Sequence, residues 1–430
     1  MPQPSPHRPG ADMPRVLVAG GGVAGLAAAW TLHRAGADVE LVEIAPRLGG
    51  KLNTERCGDL LIDTGPDSFL SSKPAAVRLA TELGIADQII NTRKDGGGTF
   101  ILRRGKLQPL PEGITLLVPA SFRAIARSPL LSPLGKARMA LDYVIPARKG
   151  NDDESVGAFV RRRLGREAFE RLAEPLLSGI YAGDADALSL ACTFPRLREV
   201  ERTHGGMVRG ALAQRRATTG NTPSSSSRTP FVSFAGGMST LIDALACAIG
   251  PQRTRTGLGV VALDRSPNGW RATLSDDSCV SADGVILAVP AFASAELLAP
   301  HAPDLSAALR EIPWVSTATI SLAFPRAALP DGLSGRGFVV PRAERRVLTA
   351  VTWTSQKFPG RAPDDIALLR GFVGRAGNEE PAALPEDTLV DLVCTELREI
   401  LGIRATPTFA RVYRWPRALP QYTLGHTERL

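Results

Sequence analysis

The sequence predicts an α/β protein. A doubly wound parallel sheet, discontinuous along the chain, is joined to an α+β domain and a helical insert. Three observations carry this. An apolar run at residues 16–19 leads directly into Gly20-x-Gly22-x-x-Gly25 and a helical stripe. Strand, turn and helix signals alternate through about residue 94. After a long stretch of helical character, short strand-like apolar runs return from residue 231 onward.

The first element is the strand Val16-Leu17-Val18-Ala19, followed by the glycine turn. Gly20 permits a tight exit from the strand, Gly22 lets backbone approach a diphosphate, and Gly25 lets the helix lie close to the strand. The helix opens at Val23 and Ala24, whose free N–H groups and dipole favour phosphate. Its apolar stripe is Leu26, Ala29, Trp30 and Leu32-His33. A second strand, Asp38-Val39-Glu40-Leu41-Val42-Glu43, ends in a carboxylate about 20 residues on from the glycines, where it can accept from ribose hydroxyls. Together these elements predict a Rossmann-like nucleotide-binding domain.

The next two fragments choose between nucleotides. In Arg47-Leu48-Gly49-Gly50-Lys51, two glycines let the chain run against a cofactor and two cations flank its phosphates. In Asp63-Thr64-Gly65-Pro66, the glycine allows close approach to an isoalloxazine ring. This order is similar to that of flavin enzymes of the amine-oxidase superfamily and unlike that of nicotinamide dehydrogenases. The expected cofactor is FAD, and the expected chemistry is that of an oxidoreductase.

Composition excludes several other classes. The 430 residues are 44% hydrophobic and 22% charged, an ordinary globular balance with room for two or three domains. The net charge is +8, with runs such as Arg161-Arg162-Arg163 and Arg215-Arg216. No aromatic interleaving accompanies them, so no nucleic-acid partner is expected. They read as solvated helix faces, or as attraction for carboxylate-bearing substrates or an anionic membrane. Five cysteines (Cys57, Cys192, Cys247, Cys279, Cys394) form no C-x-x-C, which fits a reducing compartment. Five histidines show no metal spacing, so no metal is expected. No window is apolar enough to span a membrane, and residues 1–12 read as a disordered tail rather than a signal peptide. The expected location is the cytoplasm, with peripheral contact on the inner membrane face.

Further along, 99–110 resembles a hairpin turning at Arg104-Gly105. Residues 121–217 are predominantly helical, with breaks at Pro129, Pro133, Pro146 and Gly165 and a basic amphipathic stretch at 155–172. Residues 218–230 form a Ser-rich flexible connector. Residues 231–238 open a second strand–turn–helix with Leu241, Leu245 and Ile249 on one face, and 259–263 and 284–290 read as buried strands returning to the first sheet. The predicted organisation is therefore an FAD-binding domain from 13–94, 231–293 and 412–430. A substrate-binding domain comprises 95–120 and 294–411, and the helical insert is 121–217.

The most specific stretch of the chain is Ser178-Gly179-Ile180-Tyr181-Ala182-Gly183-Asp184 followed by Leu188-Ser189-Leu190. On it, and over about residues 14–430, the chain resembles the bacterial oxygen-dependent protoporphyrinogen oxidase and coproporphyrinogen III oxidase family. Phe234-Ala235-Gly236-Gly237-Met238, Ala288-Val289-Pro290, Phe358-Pro359-Gly360-Arg361-Ala362-Pro363 and Arg417-Ala418-Leu419-Pro420-Gln421-Tyr422 add support. The resemblance implies FAD-dependent, six-electron oxidation of protoporphyrinogen IX to protoporphyrin IX with O2, yielding hydrogen peroxide, in haem synthesis. Coproporphyrinogen III is the alternative substrate. Chemistry centred on the flavin needs no acid or base side chain, so no catalytic residue is expected. The resemblance also places Ala182 and Gly183 by the substrate with their backbone groups near the macrocycle. It places Val260 by the adenine, and Trp353 and Phe358 against the macrocycle. The insert would face a membrane, a ferrochelatase or a second subunit. Two departures stand out. Thr99 occupies a place where several relatives carry an arginine for a substrate propionate, with Arg103 or Arg104 as substitutes. The Gly-Asn-x-x-x-Gly-x-Gly segment that closes the flavin site in relatives is absent, which keeps an inactive truncated flavoprotein as a further alternative. Another amine oxidase or a desaturase is the remaining one.

Overall fold

A computed structural model describes residues 13–94, 97–111, 114–115, 118–119, 122–150, 152–218, 228–330 and 335–430. The expected tail 1–12 and most of the connector, 219–227, lie outside the described residues. The chain divides into two compact units. One comprises the described residues through Glu55, Asp63–Ile89 and Gly236–Arg310. The other comprises Arg56–Ile62, Ile90–Ala235 and Glu311–Leu430.

The first unit is built on a parallel sheet in the order Thr254–Thr256, Asp38–Glu43, Arg15–Ala19, Gly284–Leu287. Val16 registers with Val39 on one side and Gly284 on the other. Leu17, Val18, Leu41 and Val42 are buried, as a strand covered on both faces requires. The helices Val23–Arg34 and Ser239–Ile249 lie against one another, and Leu241, Leu245 and Ile249, expected on one face of the second, are buried. The run 284–287 joins the sheet as expected. The run 259–263 does not: Val260–Ser266 pairs antiparallel with Gly269–Leu274, which pairs with Cys279–Ala282. Leu263 is buried in the strand Val260–Ser266, while Val261, Ala262, Asp264 and Arg265 are exposed, so both of its faces meet water. Leu263, Ala272, Leu274, Val280 and Ala282 share a core with Leu17, Ala19 and Val42.

The second unit contains a seven-stranded sheet. Its order is Phe409–Pro420, Trp314–Pro325, Ile366–Val373, Leu348–Trp353, Gly337–Val339, Thr99–Arg103, Lys106–Pro109. All neighbours are antiparallel except Gly337–Val339 with Thr99–Arg103. The expected hairpin forms, with Arg104 and Gly105 at φ +50° and +72°, the left-handed pair that a two-residue hairpin loop demands. Ala318, Ile320, Leu322 and Phe324 form a core with Leu389, Val393 and Leu397 of the helix Glu386–Leu401. Two expected boundaries are corrected. Residues 412–430, expected with the nucleotide-binding domain, belong to this unit because Phe409–Pro420 is hydrogen-bonded along Trp314–Pro325. Residues 294–310, expected with the substrate-binding domain, belong to the first unit, where Ser306 donates to the Ala295 carbonyl and ties the helix Pro303–Arg310 to Ala291–Leu298.

The helical insert lies in the second unit. Ser132, Ser155 and Ser189 cap three of its helices by accepting from Gly135, Ala158 and Cys192 N–H groups. Val156, Phe159, Val160, Leu164, Phe169 and Leu172 are buried together with Leu177, Phe194, Leu197 and Met207. The triple arginine is not a solvated face. Successive helical residues turn through about 100°, so the three side chains leave in three directions. Arg161 stays half-exposed with Asp186, Arg162 reaches Glu154 and Glu201, and Arg163 is fully buried against Asp142. Among the described residues no helix is long and apolar enough to cross a membrane.

Candidate functional site

The glycine turn shows which constraints come from the protein itself. A Cβ on Gly25 would lie 1.8 Å from the Gly20 carbonyl oxygen, and one on Gly20, whose φ is +108°, would lie 2.6 Å from the Ala288 oxygen. These two positions hold helix against sheet. Gly22 differs: a Cβ there would meet nothing within 4 Å, and its φ is an ordinary −69°. The space in front of the helix is open, and no side chain caps its N-terminus. Val23 and Ala24 are exposed there. Orphan N–H groups, the dipole and an open approach are the requirements of a diphosphate site.

The second loop is bonded to the first. Gly49 N–H donates to Gly21 O at 2.8 Å, and Gly22 and Gly49 form a parallel bridge. A Cβ on Gly50 would lie 3.3 Å from Gly22 Cα. The Arg47 guanidinium folds over its own loop onto the Leu48 and Gly50 carbonyls, and Lys51 is exposed beside it. The Glu43 carboxylate accepts from Gly21 N–H at 2.6 Å and Ala45 N–H at 2.8 Å. It therefore shapes the glycine turn, and a carboxylate still has lone pairs for ribose hydroxyls. Leu258 N–H donates to Glu43 O, which brings half-buried Val260, two residues on, to the same edge.

Asp63 has a role that its motif did not disclose. Its Oδ1 accepts from Met238 N–H at 2.8 Å and from Thr54 Oγ1 at 2.7 Å. Gly237, at φ +86°, leaves no room for a side chain between Thr54 and Asp63. Half-buried Gly65 and exposed Pro66 thus follow a loop anchored to Gly236-Gly237-Met238. These residues fit FAD: a Cβ-free cradle, uncapped helix N–H groups and a carboxylate with spare acceptor capacity occupy one unit.

The segment expected beside the substrate lies in the second unit. The helix Glu174–Tyr181 ends at Ala182, which takes the left-handed φ of +47°. Three successive carbonyls are then claimed by three distant segments. Tyr181 O accepts from Gln421 Nε2 (3.1 Å), Ala182 O from Ala376 N–H (2.7 Å) and Gly183 O from Arg342 Nη2 (3.3 Å). The carbonyls of Ala182 and Gly183, expected near a macrocycle, thus each accept one hydrogen bond within the protein. Arg342 also pairs with Glu174, whose burial pushes its carboxyl above the ordinary range against the pull of Arg342 and Arg375. Trp353 and Phe358 are corrected. Trp353 is 2% exposed, with its ring on Phe100 and Phe338, and Phe358 is 0% exposed. Neither presents a free ring face in this conformation. Thr99 pairs with Gly337, the Arg103 guanidinium bonds the Pro129 carbonyl, and Arg104 is held by its backbone N–H to Glu344.

Comparison with known proteins follows the same lines. The family profile described as flavin containing amine oxidoreductase matches residues 23–430. The coproporphyrinogen III oxidase of Bacillus subtilis (strain 168) is 34% identical over 421 residues, covering 96% of this chain and 89% of that protein. The coproporphyrinogen III oxidase of Propionibacterium freudenreichii is 36% identical over 463 residues, covering 99% and 86%. A solved structure from Exiguobacterium sp. 255-15, provisionally named a protoporphyrinogen oxidase, superposes with a TM-score of 0.84 at 31% identity over 98% of this chain and 90% of that one.

Proposed function

The chain belongs to the flavin-containing amine oxidoreductase family, and on that premise we propose that it oxidises coproporphyrinogen III to coproporphyrin III. It is an FAD-dependent porphyrinogen oxidase of haem synthesis. The observation that favours coproporphyrinogen over protoporphyrinogen is identity of 34% and 36%, over nearly the whole chain, to two bacterial coproporphyrinogen III oxidases.

Bound FAD supplies a hydride acceptor for a substrate carbon. The chain's own residues bind and orient. Val23 and Ala24 N–H groups and the helix dipole offset diphosphate charge. Glu43 completes the glycine turn and takes the ribose. Gly65 admits close backbone approach to the ring system, and Val260 lies towards the adenine. Ala182 and Gly183 stand beside the macrocycle, with their backbone groups near it. Aromatisation drives the reaction, so no side chain is assigned to move a proton. Dioxygen is the terminal acceptor in this reading. The location is cytoplasmic. Exposed Leu134, Leu141, Tyr143 and Val144, near exposed Arg148 and Lys149, are the surface assigned to peripheral contact with an anionic membrane or a protein partner.

Anaerobic mixing with each porphyrinogen tests the reading. Coproporphyrinogen III should bleach the flavin at least about tenfold faster than protoporphyrinogen IX at equal concentration. The reverse order would reassign the substrate to protoporphyrinogen IX. Flavin that neither compound bleaches would remove the chain from porphyrinogen oxidation.

A further inference from the structure

We propose that Gln421 is a positioning residue for the substrate-side turn at 181–183. This rests on the reading above that Ala182 and Gly183 stand beside the porphyrinogen. Gln421 is 5% exposed and follows the long strand Phe409–Pro420. Its backbone N–H donates to Pro313 O at 2.8 Å, which fixes where the side chain starts. The carboxamide Nε2 then divides its donors between Tyr181 O at 3.1 Å and Leu419 O at 3.2 Å. Tyr181 O is one of the last carbonyls of its helix, where no intrahelical partner remains. One neutral side chain thus ties the end of that helix to the end of a strand 240 residues away in sequence.

The other atom of the carboxamide sets the shape of the turn. A Cβ on Gly183 would lie 2.3 Å from Gln421 Oε1. That place is taken by the glutamine, with Leu188 Cδ1 2.9 Å away, so position 183 accommodates no side chain unless the carboxamide moves and Leu188 gives way. Oε1 itself is buried and accepts no hydrogen bond among the described residues. The residues after Gln421 extend the same hold. Tyr422 O accepts from Ser189 N–H (2.8 Å), Leu424 N–H donates to Ala187 O (3.1 Å), and Leu188 bridges Thr423. Residues 421–424 therefore run along 181–189, with Gln421 at the end where the helix stops. Arg342 and Ala376 hold the next two carbonyls but make no such contact with position 183. Gln421 fixes Tyr181 O and, at 2.3 Å against 2.9 Å for Leu188 Cδ1, makes the nearer of the two approaches that bound the space at Gly183.

Gln421→Met isolates the donor, because it keeps the length and bulk and removes both hydrogen bonds without stranding a partner of Oε1. Gly183→Ala probes the turn directly, and Gly183→Ala in a Gln421→Ala background probes the contact between them. The readouts are flavin content, thermal midpoint, the limiting rate of flavin reduction by coproporphyrinogen III, and flavin reoxidation in air. The expectation is full flavin content, unchanged reoxidation and a reduction rate lowered about tenfold in Gln421→Met and in Gly183→Ala. Gly183→Ala should cost less in the Gln421→Ala background, where the 2.3 Å approach to Oε1 is gone and only the 2.9 Å approach to Leu188 Cδ1 remains. Normal reduction by Gly183→Ala would show that the turn is remote from the substrate, and the underlying reading falls with the proposal. Slow Gly183→Ala with normal Gln421→Met would overturn the role of Gln421 alone. Loss of flavin or of folding in Gln421→Met would make the residue a stabiliser of the fold and also overturn it.

Discussion

Arg163 Nε stands 2.5 Å from Asp142 Oδ1, and both side chains are fully buried. The remaining donors of the guanidinium are used. They meet the carbonyls of Asp142, Ile145, Pro146 and Gly205, while Asp142 Oδ2 accepts from Val208 N–H. Complete satisfaction is the condition under which a buried ion pair is tolerated. Arg163→Ala leaves the carboxylate buried without its cation, and should lower stability by about 3–5 kcal/mol. The check is the urea midpoint followed by circular dichroism. Replacing both residues with apolar ones of similar bulk should recover part of that loss, whereas equal loss in the double variant would assign it to packing alone.

Gly22 and Gly25 should respond differently to the same methyl group. Gly25→Ala drives a Cβ into the Gly20 carbonyl and should unseat the helix, lowering both folding stability and flavin retention. Gly22→Ala meets no protein atom within 4 Å. Apo-protein stability should stay within about 0.5 kcal/mol of wild type. FAD affinity should nevertheless fall by about tenfold or more, because the methyl stands where the diphosphate approaches. Fluorescence titration of the apo-protein with FAD, alongside its thermal midpoint, separates the two effects. Unchanged FAD affinity in Gly22→Ala would move the diphosphate elsewhere.

The contrast between legible and hidden features follows from the range of the interactions. Gly20, Gly22 and Gly25, Glu43 and the Arg104-Gly105 hairpin were legible because a turn's backbone conformation and close approach are local demands on residue type. The ties of Asp63 to Thr54 and Met238 were half-visible, since both motifs were evident and their connection was not. Arg163 was hidden because its partner lies 21 residues earlier, and three consecutive arginines look solvated unless their directions are known. Residues 412–430 were expected in the nucleotide-binding domain because nothing in the local sequence reveals that 409–420 pairs with Trp314–Pro325. Trp353 was ambiguous for a related reason: a large aromatic ring suits a core as well as a ligand, and only Phe100 and Phe338 around it decide.

Ala182 stores strain at the end of the signature helix. Its φ of +47° is one that a side chain disfavours, and Ala182 O is fixed by Ala376 N–H at 2.7 Å. Left-handed backbone costs a residue with a Cβ roughly 1–2 kcal/mol, partly offset by the greater freedom of glycine when unfolded. Ala182→Gly should therefore raise stability by about 0.5–1 kcal/mol, read as a higher thermal midpoint of the apo-protein. A lower midpoint would mean that the methyl group contributes more to the buried core than the strain costs.

Glu201 links the insert's stability to pH. Burial pushes its carboxyl up, but hydrogen bonds from Arg162 at 2.7 and 3.0 Å, the Arg148 N–H and the charge of Arg163 outweigh this and hold it below the ordinary glutamate range. A carboxyl depressed on folding binds fewer protons in the native state than in the unfolded one. Its contribution is therefore present in full above the ordinary glutamate value and is lost as pH falls through the depressed one. Glu201→Gln removes that limb and also deprives Arg162 and Arg163 of a counter-charge at neutral pH. The variant should be less stable than wild type at pH 7, and the gap should close progressively on acidification. Urea midpoints of both proteins between about pH 7 and pH 3 give the difference directly, cancelling other carboxylates such as Asp186, which Arg161 also holds down. Parallel curves would mean that Glu201 titrates alike in both states and that its arginine contacts contribute nothing to the acid sensitivity of the fold.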